Sequence, residues 1–365
     1  MSHPIIQAAL ESGQSIWLDF ISRELIESGG LEQAVAEGIR GVTSNPTIFE
    51  KAVSKGSDYD ADIQAGVKHN ASAQEIFESL AVCDVARAAD TLAGVYASSE
   101  GRDGFVSLEV SPDLAHDTEG TIKEAEHLWR LVSRPNLMIK VPGTKAGMPA
   151  FQALIRKGIN VNVTLLFSLE QYKSVLATYM SGLEDRLADG QGISDIASVA
   201  SFFVSRVDTV ADKQLREKGK EKLTGKAAIA NACLAYRHFL EESETDRWQT
   251  LLHRGAQVQR PLWASTSTKD PALNDILYVD ELIAKDTVNT IPPSTLEAFK
   301  DHGRPSEKLL VNLKQADATL KAIADAGIDL NRITTDLIED GVKKFAVSYS
   351  ELLQAIDAKI KLIAK

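Results

Sequence analysis

Eight short apolar or β-branched runs recur along the chain, and a segment of helical period separates each run from the next. The runs are SIWLDF, RGVTSNP, GFVSLEV, LMIKVPGT, INVNVTLLF, SVASFFVSR, RPLWASTS and DTVNTIP, with intervening stretches such as SAQEIFESLAVCDVARAADTLAGVYAS and TIKEAEHLWRLVS. Runs of this length bounded by turn residues read as strands, and the segments between them are long enough for crossover helices. Strand–helix alternation of this kind produces a parallel sheet, and eight repeats are the number that closes one into a (β/α)8 TIM-type barrel. A bare barrel takes about 250 residues, whereas this chain has 365. The surplus predicts one barrel domain over 1–365 with helical excursions near 50–103 and 210–258. A C-terminal helical extension near 306–365 is docked on the barrel rather than forming a second catalytic domain.

Because successive strand side chains point to opposite faces, the runs predict what meets inside. In LMIKV, Leu137, Ile139 and Val141 share the helix-facing side, which turns Lys140 inward with Met138. The same reasoning turns Trp17 and Asp19 inward against Ile16, Leu18 and Phe20 on the helix side, and turns Ser107 and Glu109, and Asn160, Asn162 and Thr164, inward against apolar partners on the other face. Thr43 and Asn45 form the inward set of the second run, and Ser201 and Phe203 that of the sixth. In the seventh, Trp263, Ser265 and Ser267 are expected to oppose Leu262 and Ala264. Arg206 breaks the parity of the sixth run and is expected to lie past its end. These polar positions gather toward the C-terminal strand ends, where barrel enzymes assemble their active sites.

Composition narrows the chemistry. With 51 acidic against 40 basic residues the formal charge is −11, which argues against a nucleic-acid partner but not against a small anion. The seven histidines are scattered, and only Cys83 and Cys233 are present, so no metal, disulfide or nucleotide-cofactor motif stands out. No apolar run approaches a membrane span, and the N-terminal stretch lacks a basic leader, so a cytoplasmic protein is expected. A homo-oligomer is compatible with all of this.

A lysine inside a barrel can snorkel outward or act as a nucleophile. Burial disfavours the ammonium form and exposes the amine lone pair. A neutral amine attacks a ketone to give a Schiff base, whose iminium accepts the electrons of a breaking C–C bond. Such chemistry needs carboxylates to move protons, and Glu109 and Asp19 are of the right type on neighbouring strand ends. Asp19 has an alternative as a helix cap, and Asn45–Pro46 as an ordinary turn. An inward glutamate in a Val/Leu strand must be paired or functional. Asn45, Asn162, Ser201 and Ser265 suit sugar hydroxyls, and Thr164 suits a water beside Glu109. Arg206 and Lys269 suit a phosphate, although Arg206 reads equally as the ion-pair partner of an acid such as Asp208. Phe203 and Trp263 read as core residues.

GVTSNPTIF (41–49), LMIKVPGT (137–144) and GINVNVTLLFS (158–168) resemble the signature segments of transaldolases. The likeness extends through IWLDF, VSLEV, SFFVSRVDT and GVKKFAVSYSELL, and the length and WASTSTKDP suggest the longer bacterial branch. The resemblance implies transfer of a dihydroxyacetone unit in the non-oxidative pentose phosphate pathway. The donor would be sedoheptulose 7-phosphate or fructose 6-phosphate, and the acceptor glyceraldehyde 3-phosphate or erythrose 4-phosphate, without a cofactor. It also implies Lys140 as Schiff-base nucleophile, Glu109 as acid/base through a water held by Thr164, and Asp19 as the base at the cleaved carbon. Asn45, Asn162, Ser201 and Ser265 would bind hydroxyls, and Arg206 the phosphate. Two departures stand out. Ser205 replaces a glycine common before that arginine, and Ser267 stands where many relatives carry a second arginine, leaving Lys269 as its substitute. Phenylalanine at 203 favours transfer, where a tyrosine accompanies release of free dihydroxyacetone.

Overall fold

The computed structural model describes residues 2–363. Eight parallel strands close into a barrel in chain order. They are β1 (Gln14–Leu18), β2 (Gly41–Thr43), β3 (Phe105–Glu109), β4 (Leu137–Pro142), β5 (Val161–Leu166), β6 (Ser198–Phe203), β7 (Arg260–Ala264) and β8 (Thr287–Ile291). Seven fall within the runs singled out in the sequence, β1 starts one residue earlier at Gln14, and β8 returns to pair with β1. The fold is a (β/α)8 barrel with additional helices.

Alternation along the strands does what the pattern demands. Ile16, Leu18, Val106, Leu108, Ile139, Val141, Val161 and Val163 are all buried. At the closed end of the barrel Asp103 accepts hydrogen bonds from Ser15 (2.6 Å), the Trp17 indole (3.0 Å) and Arg260 (2.9 Å). The buried charge there is thus paired and saturated with donors, as a buried carboxylate must be. Gly41 leaves the space that the indole fills: a Cβ at this position would lie 2.5 Å from the Trp17 ring.

Two orientations differ from the sequence expectation. In β7 the interior set is Arg260, Leu262 and Ala264, and Trp263 points to the helices. Its indole donates to the Leu282 carbonyl (2.9 Å) and meets outward-facing Phe202 edge-on at 6.1 Å. Ser265 and Ser267 nevertheless reach the barrel mouth, because Ser265 takes a left-handed conformation (φ 56°) that resets the alternation. Phe20, expected on the helix side, turns into the mouth because β1 ends at Leu18 and the period-two rule ends with it.

The excursions are helical. Helices Pro46–Lys55, Asp60–Lys68 and Ala73–Ser98 follow β2, and Ser205–Glu217, Ala227–Ser243 and Asp246–His253 follow β6. The chain finishes with Lys308–Asp325 and a 34-residue helix, Leu330–Ile363. That last helix buries Ile333, Leu337, Gly341, Phe345, Tyr349, Leu352 and Ile356, a stripe of i,i+4 and i,i+3 spacing. It lies along Pro46–Lys55, where Tyr349, Phe77 and Phe49 form two edge-on ring contacts and Thr47 donates to Ser348 (2.8 Å). Fully buried Leu352 and Ile356 each contribute about 1.5–3 kcal/mol to this docking.

Candidate active site

A cleft of about 610 Å3 opens at the C-terminal strand ends. Lys140, Asp19, Thr164, Asn45, Ser201, Phe203, Arg206, Ser265, Ser267 and Lys269 all line it. The Lys140 side chain is only 6% exposed, and its Nζ donates to the Ser44 carbonyl at 2.9 Å. Glu109 is its neighbour in register across β3 and β4, with Oε2 3.7 Å from Nζ. Neither Glu109 oxygen has a hydrogen-bond partner among the described residues, and the same holds for the Thr164 hydroxyl. Burial is the largest influence on Glu109 and lifts its pKa to about 7, aided by Asp19 and opposed by Lys140. A carboxyl titrating there can carry a proton in either direction at neutral pH. Glu109 lies behind Lys140 and does not line the main cleft; it borders a smaller cavity of about 30 Å3 with Ser111, Glu124 and Tyr349.

Asp19 is held differently. Its Oδ1 accepts from Thr43 (2.7 Å), whose own oxygen lies 2.6 Å from Thr290. If Thr43 spends its proton on Asp19, Thr290 must be the donor to Thr43, which orients all three. Burial raises the Asp19 pKa, while Lys140, the Thr43 hydrogen bond, Arg206 and Lys269 pull it down. Among the described residues Asp19 forms no helix-capping bond; the cap at this corner is Ser22, which accepts from Leu25 N–H.

The hydroxyl-binding candidates separate by depth. Asn45 is both things at once: its Oδ1 caps helix Pro46–Lys55 by accepting from Ile48 N–H, and its side chain lines the cleft. Asn162 does not line the cleft. It is fully buried beneath, donating to Ser107 (3.1 Å) and accepting from Ser201 (2.6 Å). Strands β3, β5 and β6 are thereby tied under Lys140, and Ser201 alone of this trio faces the open space. Ser265 shares a 3.0 Å hydroxyl contact with Ser205 and accepts that residue's N–H at its carbonyl (3.0 Å). The serine that replaces a glycine at 205 therefore braces a cleft residue.

Further cations line the same cleft. Arg206 sits in the first turn of helix Ser205–Glu217, where N–H groups and the helix dipole favour an anion. It forms no ion pair within 4 Å among the described residues, and its Nη1 is buried without a partner. Asp208 is excluded as that partner: it is buried, accepting from the Tyr278 hydroxyl (2.9 Å) and Ala228 N–H (2.8 Å). Lys269 donates to Ser267 at 2.6 Å, so the two side chains sit together on the cleft wall. The Lys269 amine is pushed down by desolvation at the cleft wall, then by Arg206 and by Lys51, although its stem is exposed at the rim.

Lys51 and Phe345 were not visible as site residues in the sequence. Lys51 reads as one more solvated helix lysine, yet it reaches the cleft beside Lys269 and Arg206. Phe345 belongs to the apolar stripe of the C-terminal helix and reads as core. Its ring centroid lies 6.0 Å from Lys140 Nζ and 6.0 Å from the Arg206 guanidinium. Among the described residues no group of three His, Cys, Asp or Glu side chains is arranged to hold a metal ion.

This assembly has relatives. The family profile described as transaldolase/fructose-6-phosphate aldolase matches residues 16–356. The chain is 48% identical over 361 residues to a transaldolase of Parafrankia sp., covering 98% of each chain. It is 46% identical over 369 residues to transaldolase 2 of Nostoc sp., covering 97% of each. It is 43% identical over 371 residues to the transaldolase of Mycobacterium leprae, covering 100% of this chain and 99% of the relative. With profile and relatives spanning nearly its whole length, the chain belongs to the transaldolase/fructose-6-phosphate aldolase family.

Proposed function

We propose that this protein is a transaldolase that moves a dihydroxyacetone unit from a ketose phosphate to an aldose phosphate through a Schiff base on Lys140. Sedoheptulose 7-phosphate and fructose 6-phosphate are the donors, and glyceraldehyde 3-phosphate and erythrose 4-phosphate the acceptors. The observation that carries the reading is a buried amine 3.7 Å from a carboxyl titrating near 7, with a second carboxylate in the same cleft. The whole chain works as one barrel unit, with its pathway role in non-oxidative pentose phosphate metabolism and a cytoplasmic setting. Among the described residues no helix is long and apolar enough to cross a membrane.

Donor phosphate binds Arg206, with Lys269, Ser267 and Lys51 adding charge and hydrogen bonds. Asn45, Ser201 and Ser265 hold hydroxyls; Asn162 serves from below by fixing Ser201. The Lys140 amine adds to the ketone, and Glu109 protonates the departing hydroxyl through a water held with Thr164. Water leaves and an iminium remains. Asp19 then takes the proton of the hydroxyl on the β carbon. The Cα–Cβ bond breaks, its electron pair moves into the iminium, and an aldose phosphate departs from the enamine. The acceptor aldehyde enters, the enamine carbon attacks it, and Asp19 returns the proton. Hydrolysis of the new iminium releases product.

Borohydride reduction in the presence of fructose 6-phosphate should attach the three-carbon fragment to the peptide carrying Lys140. A label on another lysine, or none, would end the reading. The family description also names an aldolase, so a second reading is release of free dihydroxyacetone. Phe203 packs against Phe167 at 5.2 Å and presents no hydroxyl to the enamine, which favours transfer. Incubating donor with and without acceptor separates the two activities.

A further inference from the structure

We propose that Phe345, delivered by the C-terminal helix, roofs the Lys140 enamine against water and so sets the partition between transfer and release. This rests on the Schiff-base reading above and extends it to a residue outside the barrel. An enamine has two fates. An aldehyde can capture its nucleophilic carbon, completing transfer, or solvent can protonate that carbon, after which hydrolysis liberates dihydroxyacetone. The barrel alone leaves Lys140 beneath an open mouth, and water exclusion must come from what is laid over it.

Three observations converge on Phe345. Its ring is 6% exposed and lines the cleft, with its centroid 6.0 Å from Lys140 Nζ. The nucleophilic enamine carbon lies two bonds from Nζ, a reach of about 2.5 Å. A carbon placed on the ring side therefore comes to about 3.5 Å from the ring, which is van der Waals contact. Phe345 also shares the Arg206 guanidinium with Phe203, at 6.0 and 5.1 Å, so the phosphate end and the roof are one packed wall.

The helix is seated to deliver this ring. Gly341, one turn before Phe345, faces the barrel; a Cβ there would meet Leu165 Cδ2 at 2.9 Å and Arg206 Nη1 at 3.7 Å. Leu165 cannot easily yield, because it is fully buried and held at φ 62° in the irregular stretch of β5 that follows Thr164. The absent side chain at 341 thus sets how deeply Phe345 descends. One turn beyond Phe345, the Thr47–Ser348 hydrogen bond and the Tyr349–Phe77 ring contact fix the helix.

The test compares wild type with Phe345→Leu, Phe345→Ala and Gly341→Ala. Each is given fructose 6-phosphate alone or with erythrose 4-phosphate, and the readout is the ratio of free dihydroxyacetone to transferred product. In deuterated water, solvent protonation marks the released dihydroxyacetone with one carbon-bound deuteron. The ratio should rise in the order wild type, Leu, Ala, by about tenfold or more at Ala, and Gly341→Ala should raise it with the ring still present. Borohydride labelling of Lys140, run in parallel, reports an intact fold and imine chemistry. Should Phe345→Ala not fold, the Leu and Gly341 variants carry the comparison. Labelling intact with an unchanged ratio overturns the role of Phe345 alone. Absence of labelling in the wild type overturns the Schiff-base reading itself.

Discussion

Replacing Glu109 by glutamine should make the protein more stable and nearly inactive, and the stability gain should depend on pH in a defined way. The glutamate has its ordinary value of 4.5 when unfolded and about 7 when folded. A raised folded-state pKa means the native state holds the proton more tightly, so this group favours folding at low pH and loses that contribution as pH rises through 7. Below 4.5 both states are protonated and nothing is lost. Between 4.5 and 7 the unfolded chain ionises first and stability declines. Above 7 the full interval has accumulated, about 3 kcal/mol. The attraction of Lys140 is already contained in that folded value. Glutamine does not titrate, so its advantage over the wild type should be under about 1 kcal/mol at pH 5 and about 3 kcal/mol at pH 8. Guanidinium denaturation of both proteins at pH 5, 6.5 and 8 measures this directly. Turnover should meanwhile fall by about 10²–10⁴, the usual loss for a general acid/base. A glutamine variant no more stable than wild type at pH 8, or a difference independent of pH, would refute the claim that Glu109 is held against its preference.

Lys140→Met should abolish both turnover and borohydride labelling while leaving the protein folded by circular dichroism. Arg206→Ala should raise KM for a phosphorylated donor by about 10- to 100-fold, the worth of a charged hydrogen bond to phosphate, with little effect on unphosphorylated fructose. Lys51→Ala should give a smaller rise that shrinks in high salt, as expected of an exposed charge. EDTA should leave the rate unchanged, because the proposed electron sink is the iminium.

The barrel and most of its interior were legible because a polar residue alternating with valine and leucine has few alternatives. Glu109, Lys140 and Thr164 sit on β3, β4 and β5, each flanked by apolar residues that must face the helices. Strand β7 resisted the same treatment. Its alternation is reset by a left-handed serine, and serine does not announce positive φ as glycine or asparagine does. Parity turns Asn162 inward but leaves its depth open, since it gives the face of a strand and not the layer. Phe345 was illegible for another reason. It contacts a residue more than 200 positions earlier in the chain, and within its own helix it continues an apolar stripe that any docked helix would show.

The two carboxylates explain why the cleft needs both an interior and a charged rim. Glu109 and Asp19 are each lifted by burial, but only Asp19 has a donor of its own, in Thr43, and cations on two sides. Burial lifts Glu109 to about 7, whereas the raised Asp19 is drawn back by Lys140, by a hydrogen bond and by Arg206 and Lys269; the proposed cycle uses the first as proton carrier and the second as base. In the proposed cycle Asp19 gains a proton at the moment the iminium becomes an enamine. The nitrogen loses its positive charge in the same step as the aspartate loses its negative one. In a medium of low dielectric the joint disappearance of two opposed charges is far cheaper than the loss of either alone. Asp19 already feels Lys140 as its strongest favourable charge, so the bond-breaking step exchanges one compensated state for another. The rim cations Arg206 and Lys269 have the complementary task. They draw the Asp19 pKa down against burial, and in the proposed cycle they hold the phosphate whose own charge would otherwise oppose the step.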